Sequence, residues 1–551
     1  KKKSGRSVVF SVKPHSVLCL SVTAALVLSG CEREVKPAPP FKRTEYNRVV
    51  IGNSVEPATL DPQKAGEMAA NTVIRQLMDG LTASDGEGKT IPGLATHWES
   101  QGDRIWTFHL RDAQWSNGDP ITADDFVYSF RRLTDPKTGG IYGGYLADGK
   151  VLNADAIMQG KARPETLGVK ALDKKTLQFT LTESVPYFPD MMVMAWTYPV
   201  HRATVEKYGD KWTQPEHYVS SGAYLLKGWR VNSHIKMEKN PKYYDHDSVS
   251  IPAVTMLPAG NEYNRYRADE VDVTYSVPQD QIKPAEKEFP GQVHHITSLC
   301  TWYLEPNHRM PPFDNPKVRR ALSMLTDRNI VTKVAQRGDR PAYQLTSPDM
   351  QGVDQIAPDW KDWSHEKKVA EATRLLNEAG YNDSKPLTFE VLYSTNESSR
   401  KQISALRSIW KTAVPFIEAS LINQEWKTYQ DTRNTGSFTL SFGGWCPDFN
   451  DPSSMLNIFR AGSANNVFHY ENRAFDKLLD DTLSAGRTPE ERTKLYTQAE
   501  AMLQQDTAFI PLYHQVMVNM VKPDIRGYSD HDPLLNYVVK RWSFAPETPE
   551  K

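Results

Sequence analysis

The first 31 residues decide the compartment in which the rest of this 551-residue chain folds. Lys1, Lys2, Lys3, Arg6 and Lys13 make a cationic start, and Ser16 to Leu28 is uncharged and mostly apolar. That stretch has the length of an export leader's apolar core and is too short to span a bilayer. Leu28-Ser29-Gly30-Cys31 follows. Small residues just ahead of a cysteine form the pattern at which a bacterial leader is cut and the thiol lipidated. The expectation is a leader over 1–30, acylation at Cys31 and an extended tether over 31–45 carrying Pro37, Pro39 and Pro40. A plain leader or a buried segment is the alternative reading.

Export makes the cysteines informative. Of Cys19, Cys31, Cys300 and Cys446, the first leaves with the leader and the second takes the lipid. Cys300 and Cys446 remain in an oxidising compartment where thiols pair. Either they form a bridge, worth at most about 5 kcal/mol in the chain-entropy model, or they stay as two buried thiols. Removing residues 1–30 also removes five positive and no negative side chains, taking the balance from 66 against 67 to 61 against 67. That slight acidity argues against a nucleic-acid partner, which needs a basic excess. No apolar run reaches the roughly 18 residues of a membrane span. Aromatic residues make up 10 %, enough to grip something with rings or to fill large cores.

Strand and helix signals alternate along the chain. Ile105–Leu110, Leu177–Leu181 and Leu387–Val391 show period-2 alternation. Thr122 and Asp125 make a helix start ahead of the apolar face Phe126, Val127, Phe130 and Leu133. Val318, Ala321, Leu322 and Leu325 form a second such face, and Leu375, Leu376 and Ala379 a third, stopped by Gly380. There is no internal repeat. The class is α/β with several lobes.

Catalytic signatures are missing. No G-x-S-x-G, H-E-x-x-H, phosphate loop or C-x-x-C occurs. His294-His295 would point to opposite faces of a strand and make a poor metal site. The reading is therefore a non-enzyme without metal or cofactor. One segment does carry local chemistry, Trp445-Cys446-Pro447-Asp448-Phe449-Asn450-Asp451-Pro452, at the end of an apolar run. An acid beside an indole, at a strand end and next to an anchored cysteine, suits an ammonium group. A turn-forming Asp that caps the next helix is the competing reading.

Ordered matches now point to a family. They include 92–98 (PGLATHW), 115–126 (WSNGDPITADDF), 221–224 (SGAY), 313–322 (FDNPKVRRAL), 423–429 (NQEWKTY) and 444–448. Over about 49–544 the chain resembles the periplasmic oligopeptide-binding proteins, the family 5 class of solute receptors for ABC importers. The resemblance implies a three-lobed α/β clamp: one lobe from 46–68, 200–299 and 516–551, an inserted lobe over 69–199, and a third over 300–515. It also implies the Cys300–Cys446 bridge.

The resemblance assigns a site residue by residue. Asp448 matches the acid that takes a peptide's ammonium, and Gly444, Trp445 and Cys446 the backbone that pairs with the peptide. Glu56 and Pro57 match the facing stretch, Tyr142 a contact from the small lobe, and Trp426 a pocket wall. Three cations that hold a peptide's carboxylate are absent at the matched positions. Phe442 stands for one; Ser399, with Arg400 beside it, for the second; and Ala335 and Gln336 for a third, sought over 334–338. Arg433 is retained and is similar to an Arg that meets acidic groups in murein-peptide-binding relatives, while Arg400 is a substitute cation allowing one residue of slip.

The function so implied is a lipid-anchored receptor of a Gram-negative periplasm. It passes a short peptide, of murein type if Arg433 takes an acid, to an inner-membrane ABC permease and acts as a monomer. A receptor for a non-peptide solute, or an envelope signalling or chaperone factor, is the rival.

Overall fold

Backbone pairing sorts the strands of this computed structural model into three principal sheets. The structure describes residues 36–45, 47–258, 260–535 and 537–546. All elements below belong to the unit that begins at Pro37. The leader, the acylation site Cys31 and the start of the tether lie outside the described residues.

In the first sheet, Val49–Gly52 pairs in parallel with Ala253–Leu257, which continues antiparallel to His234–Lys239 and Tyr224–Arg230. The second is antiparallel throughout, in the order Ala95–Gln101, Ile105–Leu110, Thr176–Thr180, Val169–Asp173. The alternating segments at 105–110 and 176–180 are thus neighbours. Their inward rings pack with the helix Ala123–Thr134: Phe108, Phe126, Phe130 and Phe179 are all buried in one core shared with the first sheet. Burying each such side chain is worth about 1.5–3 kcal/mol. The helix starts where expected, with the Thr122 amide donating to Asp125 Oδ2 at 2.8 Å.

The third sheet has six strands, in the order Arg340–Pro341, Ile510–Met520, Val293–Pro306, Leu440–Trp445, Leu387–Ser394, Ile417–Gln424. Its two faces carry separate cores. Leu304, Val391, Leu440 and Phe442 pack on one side with the helices Pro316–Leu325 and Glu397–Ala413, whereas Tyr303, Leu392 and Phe459 pack on the other. Successive residues of a strand point to opposite faces, so Tyr303 and Leu304 part company.

The chain crosses between the first and third sheets on two long strands, Val293–Pro306 and Ile510–Met520. They pair antiparallel along both halves, with a register shift between Thr297 and Thr301. There Ser298 Oγ donates to the Gln515 carbonyl at 2.9 Å and accepts from the Cys300 amide at 3.2 Å. At the far end Met520 donates to Thr274 Oγ1 at 2.9 Å, and Val521 bridges Val273 beside the first sheet. Among the described residues no helix is long and apolar enough to cross a membrane.

Candidate functional site

Leu440–Trp445 pairs along its whole length with residues 301–306, placing Trp445 opposite Thr301 and Gly444 opposite Trp302. Two glycines make this approach feasible. A Cβ at Gly444 would lie 2.8 Å from the Trp302 ring, and one at Gly443 would lie 2.5 Å from Glu305 Oε1. On its other edge the strand pairs only through Leu440 and Ser441. Among the described residues, the backbone of Gly443, Gly444 and Trp445 has no ladder partner there.

The loop that follows is tied down at several points. Cys446 is bonded to Cys300. Trp445 Nε1 donates to the Ser454 carbonyl at 2.9 Å, and the Asp448 amide donates to Ser454 Oγ at 2.8 Å. Phe449 is buried, stacking on Tyr187 at 5.4 Å with its edge toward Tyr145 at 6.5 Å. The turn falls to the next acid along: Asp451 Oδ1 accepts from the Ser453 amide at 2.9 Å and from Tyr496 OH at 3.0 Å, and Oδ2 takes Arg492 at 3.0 Å. The turn role therefore belongs to Asp451. No hydrogen bond or ion pair among the described residues reaches the Asp448 carboxylate.

Asp448 lines a cavity of ≈ 600 Å³ with Trp445, Tyr145, Tyr187, Asp148 and Lys150. Burial, and then the charge of Asp148, pushes the Asp448 carboxyl from 3.8 to about 7. Asp148 is itself raised to about 6 by burial, against the pull of Lys150. Tyr142 stacks on Trp196 at 3.5 Å, and its phenol is pushed up by burial and by the charge of Asp448. The structure thus gathers Trp445, Cys446, Asp448 and Tyr142. Asp148 was missed because one acid in a Gly-rich turn carries no local signal.

The other assigned residues sit differently. Glu56 accepts from Trp229 Nε1 at 2.6 Å and from the Asn232 amide at 2.8 Å, and Pro57 is buried. Their loop is set by Glu262, also unread in the sequence, which accepts from the amides of Ser54 at 2.8 Å and Tyr275 at 2.6 Å. Trp426 is 59 % exposed and stacks on Tyr429 at 5.7 Å. Arg433 is bidentate on Glu305, with Nη2 to Oε1 at 2.5 Å and Nε to Oε2 at 2.8 Å. Glu305 is 0 % exposed, and its carboxylate holds the guanidinium charged.

Two expectations need correction. Phe442 is 2 % exposed and packs 5.3 Å from Trp302 in the third sheet's core, so it presents no ring to an open cleft. Arg400 lies on the helix surface, paired with Glu397 at 2.8 Å. The cation of this region is Arg337, passed over within the window 334–338. Its Nη1 donates to Ser398 Oγ at 3.1 Å, its Nη2 to Asp339 Oδ2 at 2.7 Å, and it lies 5.7 Å over the Tyr513 ring. One guanidinium thus touches the helix start at which the second cation was sought. Sequence spacing could not show this, because Arg337 and Ser398 meet only through the fold.

Three sheets joined by a double crossing, with an acid-bearing loop beside a large cavity, define a ligand-binding clamp. Residues 89–467 match the model of the bacterial extracellular solute-binding proteins, family 5 Middle, and the chain belongs to that family. It is 42 % identical over 536 residues to the periplasmic oligopeptide-binding protein OppA of Salmonella typhimurium, covering 96 % of this chain and 98 % of that one. It is 39 % identical over 502 residues to the probable deoxycholate-binding periplasmic protein YgiS of Escherichia coli, covering 90 % and 92 %. The solved structure of the murein tripeptide binding protein MppA of Escherichia coli superposes with a TM-score of 0.80 at 36 % identity, covering 91 % and 99 %.

Proposed function

We propose that this chain is a periplasmic receptor that captures a short peptide and delivers it to an ABC import permease, held at the membrane by lipid on Cys31. The observation that carries the reading is the Asp448 carboxylate, half-buried, fixed at both ends of its loop and without a hydrogen-bond or ion-pair partner among the described residues. A buried charge left unpaired is costly, so its natural complement is the ligand's ammonium. The open edge at Gly443–Trp445 supplies main-chain donors and acceptors to an extended chain, which binds peptides without reading their sequence.

The peptide's carboxylate falls to Arg337, which can exchange its Ser398 contact for a ligand oxygen. Arg433 is the second choice, because its charge is already balanced by Glu305. The relatives widen the range of solutes, since one is named for deoxycholate. An anion such as a bile acid would meet Asp448 and Asp148 unfavourably, so a cationic end group fits this chain better.

The test is calorimetry with alanine peptides of three to five residues, each free and N-acetylated, on protein freed of co-purifying ligand. Binding of the free peptides with loss on acetylation is expected. Equal binding of both forms would remove Asp448 from the account. Binding of neither form would remove the peptide.

A further inference from the structure

Asp448 shares its cavity with a second acid, whose charge is opposed on the wall by Lys150 but with no hydrogen bond or ion pair between them. Asp148 comes from the short helix Tyr145–Asp148, far from Asp448 in sequence, yet its charge is felt at the Asp448 carboxyl. No hydrogen bond or ion pair among the described residues reaches the Asp148 carboxylate. Two cations line the cavity, and both are engaged by acids that do not line it: Lys150 with Glu183 at 3.5 Å and Arg460 with Asp480 at 2.7 Å. The third acid on the wall, Asp155, accepts from Gln159 at 2.7 Å. The wall therefore presents two carboxylates with no hydrogen-bond or ion-pair partner among the described residues, Asp448 half-buried and Asp148 exposed. Tyr145, Tyr187 and Trp445 add aromatic surface between them.

One ammonium answers only one of these acids. Two carboxylates facing one cavity repel each other, and a second positive charge relieves that repulsion. A metal ion is a poor candidate, because among the described residues no three metal-ligating side chains converge. The aromatic walls and the ≈ 600 Å³ volume suit instead a long side chain that ends in a cation.

We propose that Asp148 is a specificity-determining residue that selects peptides whose first residue carries a cationic side chain, the α-ammonium resting on Asp448 and the side-chain cation on Asp148. This deepens the peptide-receptor reading and rests on it.

The test uses matched peptides beginning with lysine or with norleucine, which keeps the apolar stem and lacks the charge, each followed by two to four alanines. Affinities are measured by calorimetry near pH 8 with EDTA present, for the native chain, Asp148→Asn and Asp148→Ala, with a melting curve for each. The native chain is expected to favour the lysine peptide by roughly tenfold, the size of one partly screened charge pair. Both variants are expected to erase the difference between the two peptides. Equal affinities in the native chain, or a lysine preference that survives both substitutions, would overturn the role of Asp148 and leave peptide capture standing. Failure of both peptides to bind the native chain would overturn peptide capture, and this inference with it.

Discussion

The loop at 444–448 and the loop at 53–57 are both assigned to the ligand, yet they are built on opposite plans. In the second the acid is met internally. Glu56 is saturated by Trp229 and Asn232, and Glu262 ties Ser54 to Tyr275. In the first the backbone edge is open, and Asp448 faces a cavity alone while Asp451, three residues on, holds three partners. Rigidity is common to both loops. What separates them is an unmet electrostatic demand, and only a ligand can meet it. Arg433 and Glu305 follow the second plan within the third sheet, as a retained cation made neutral by a neighbour.

The comparison can be broken at several points. The largest effect is expected at the internal pair. Arg433→Met strands the Glu305 carboxylate in the interior and should cost about 3–5 kcal/mol of stability in urea unfolding. A loss within experimental error would mean that the pair opens freely and that Arg433 is available to a ligand. Next come the two acids. Asp448→Asn keeps shape but removes charge, and should cost about 2–4 kcal/mol of peptide affinity. Glu56→Gln should change affinity by less than about 0.5 kcal/mol, as at a site already satisfied. Similar losses at the two positions would erase the distinction between the loops.

A smaller effect is expected at Arg337. Arg337→Gln removes a charge-assisted contact worth roughly 1.5–3 kcal/mol to a carboxylate. The loss should vanish for peptides ending in an amide, and a loss that persists with them would assign Arg337 to Asp339 and stability alone. Smaller still is the pH response. With Asp448 raised to about 7 by burial and by Asp148, its charge is lost as pH falls. Peptide affinity should therefore drop about tenfold from about pH 8 to about pH 6. The ligand-free fold responds in the opposite sense. A carboxyl whose folded pKa lies above its unfolded value stabilises most below the unfolded value, and that contribution fades as pH rises through about 7. Melting temperature without ligand should fall over that interval, and ligand should reverse the trend. A rise without ligand would mean that Asp448 is already paired.

Much of the frame was legible in the sequence because it is local. Alternation at 105–110 and 387–391, the Thr122–Asp125 start and the Gly380 stop are short-range signals, and each leads to the element expected. With Cys19 and Cys31 set aside by the leader expected at the start, two cysteines left few alternatives to the bond they form. The Trp445–Asp448 segment announced itself by composition. What escaped depends on pairs distant in the chain: Glu305 with Arg433, Arg337 with Ser398, and Asp148 with Asp448. Phe442 shows a subtler limit. Its strand was foreseen, but which face a strand residue takes depends on its neighbours, and Trp302 and Leu304 claim it for the core.

The two crossing strands behave mechanically as one ribbon. Separate tethers would swivel independently, but a hydrogen-bonded pair resists twist and shear and yields most readily where its ladder is interrupted. The wider interruption lies at 298–300, between Thr297 and Thr301, and a second falls between Trp302 and Tyr303. Cys300 stands within the wider one and is stapled to the loop that holds Asp448. Whatever flexes there, the loop that holds Asp448 travels as cargo of the third sheet, and its aim toward the strand edge beside it is preserved through the bend.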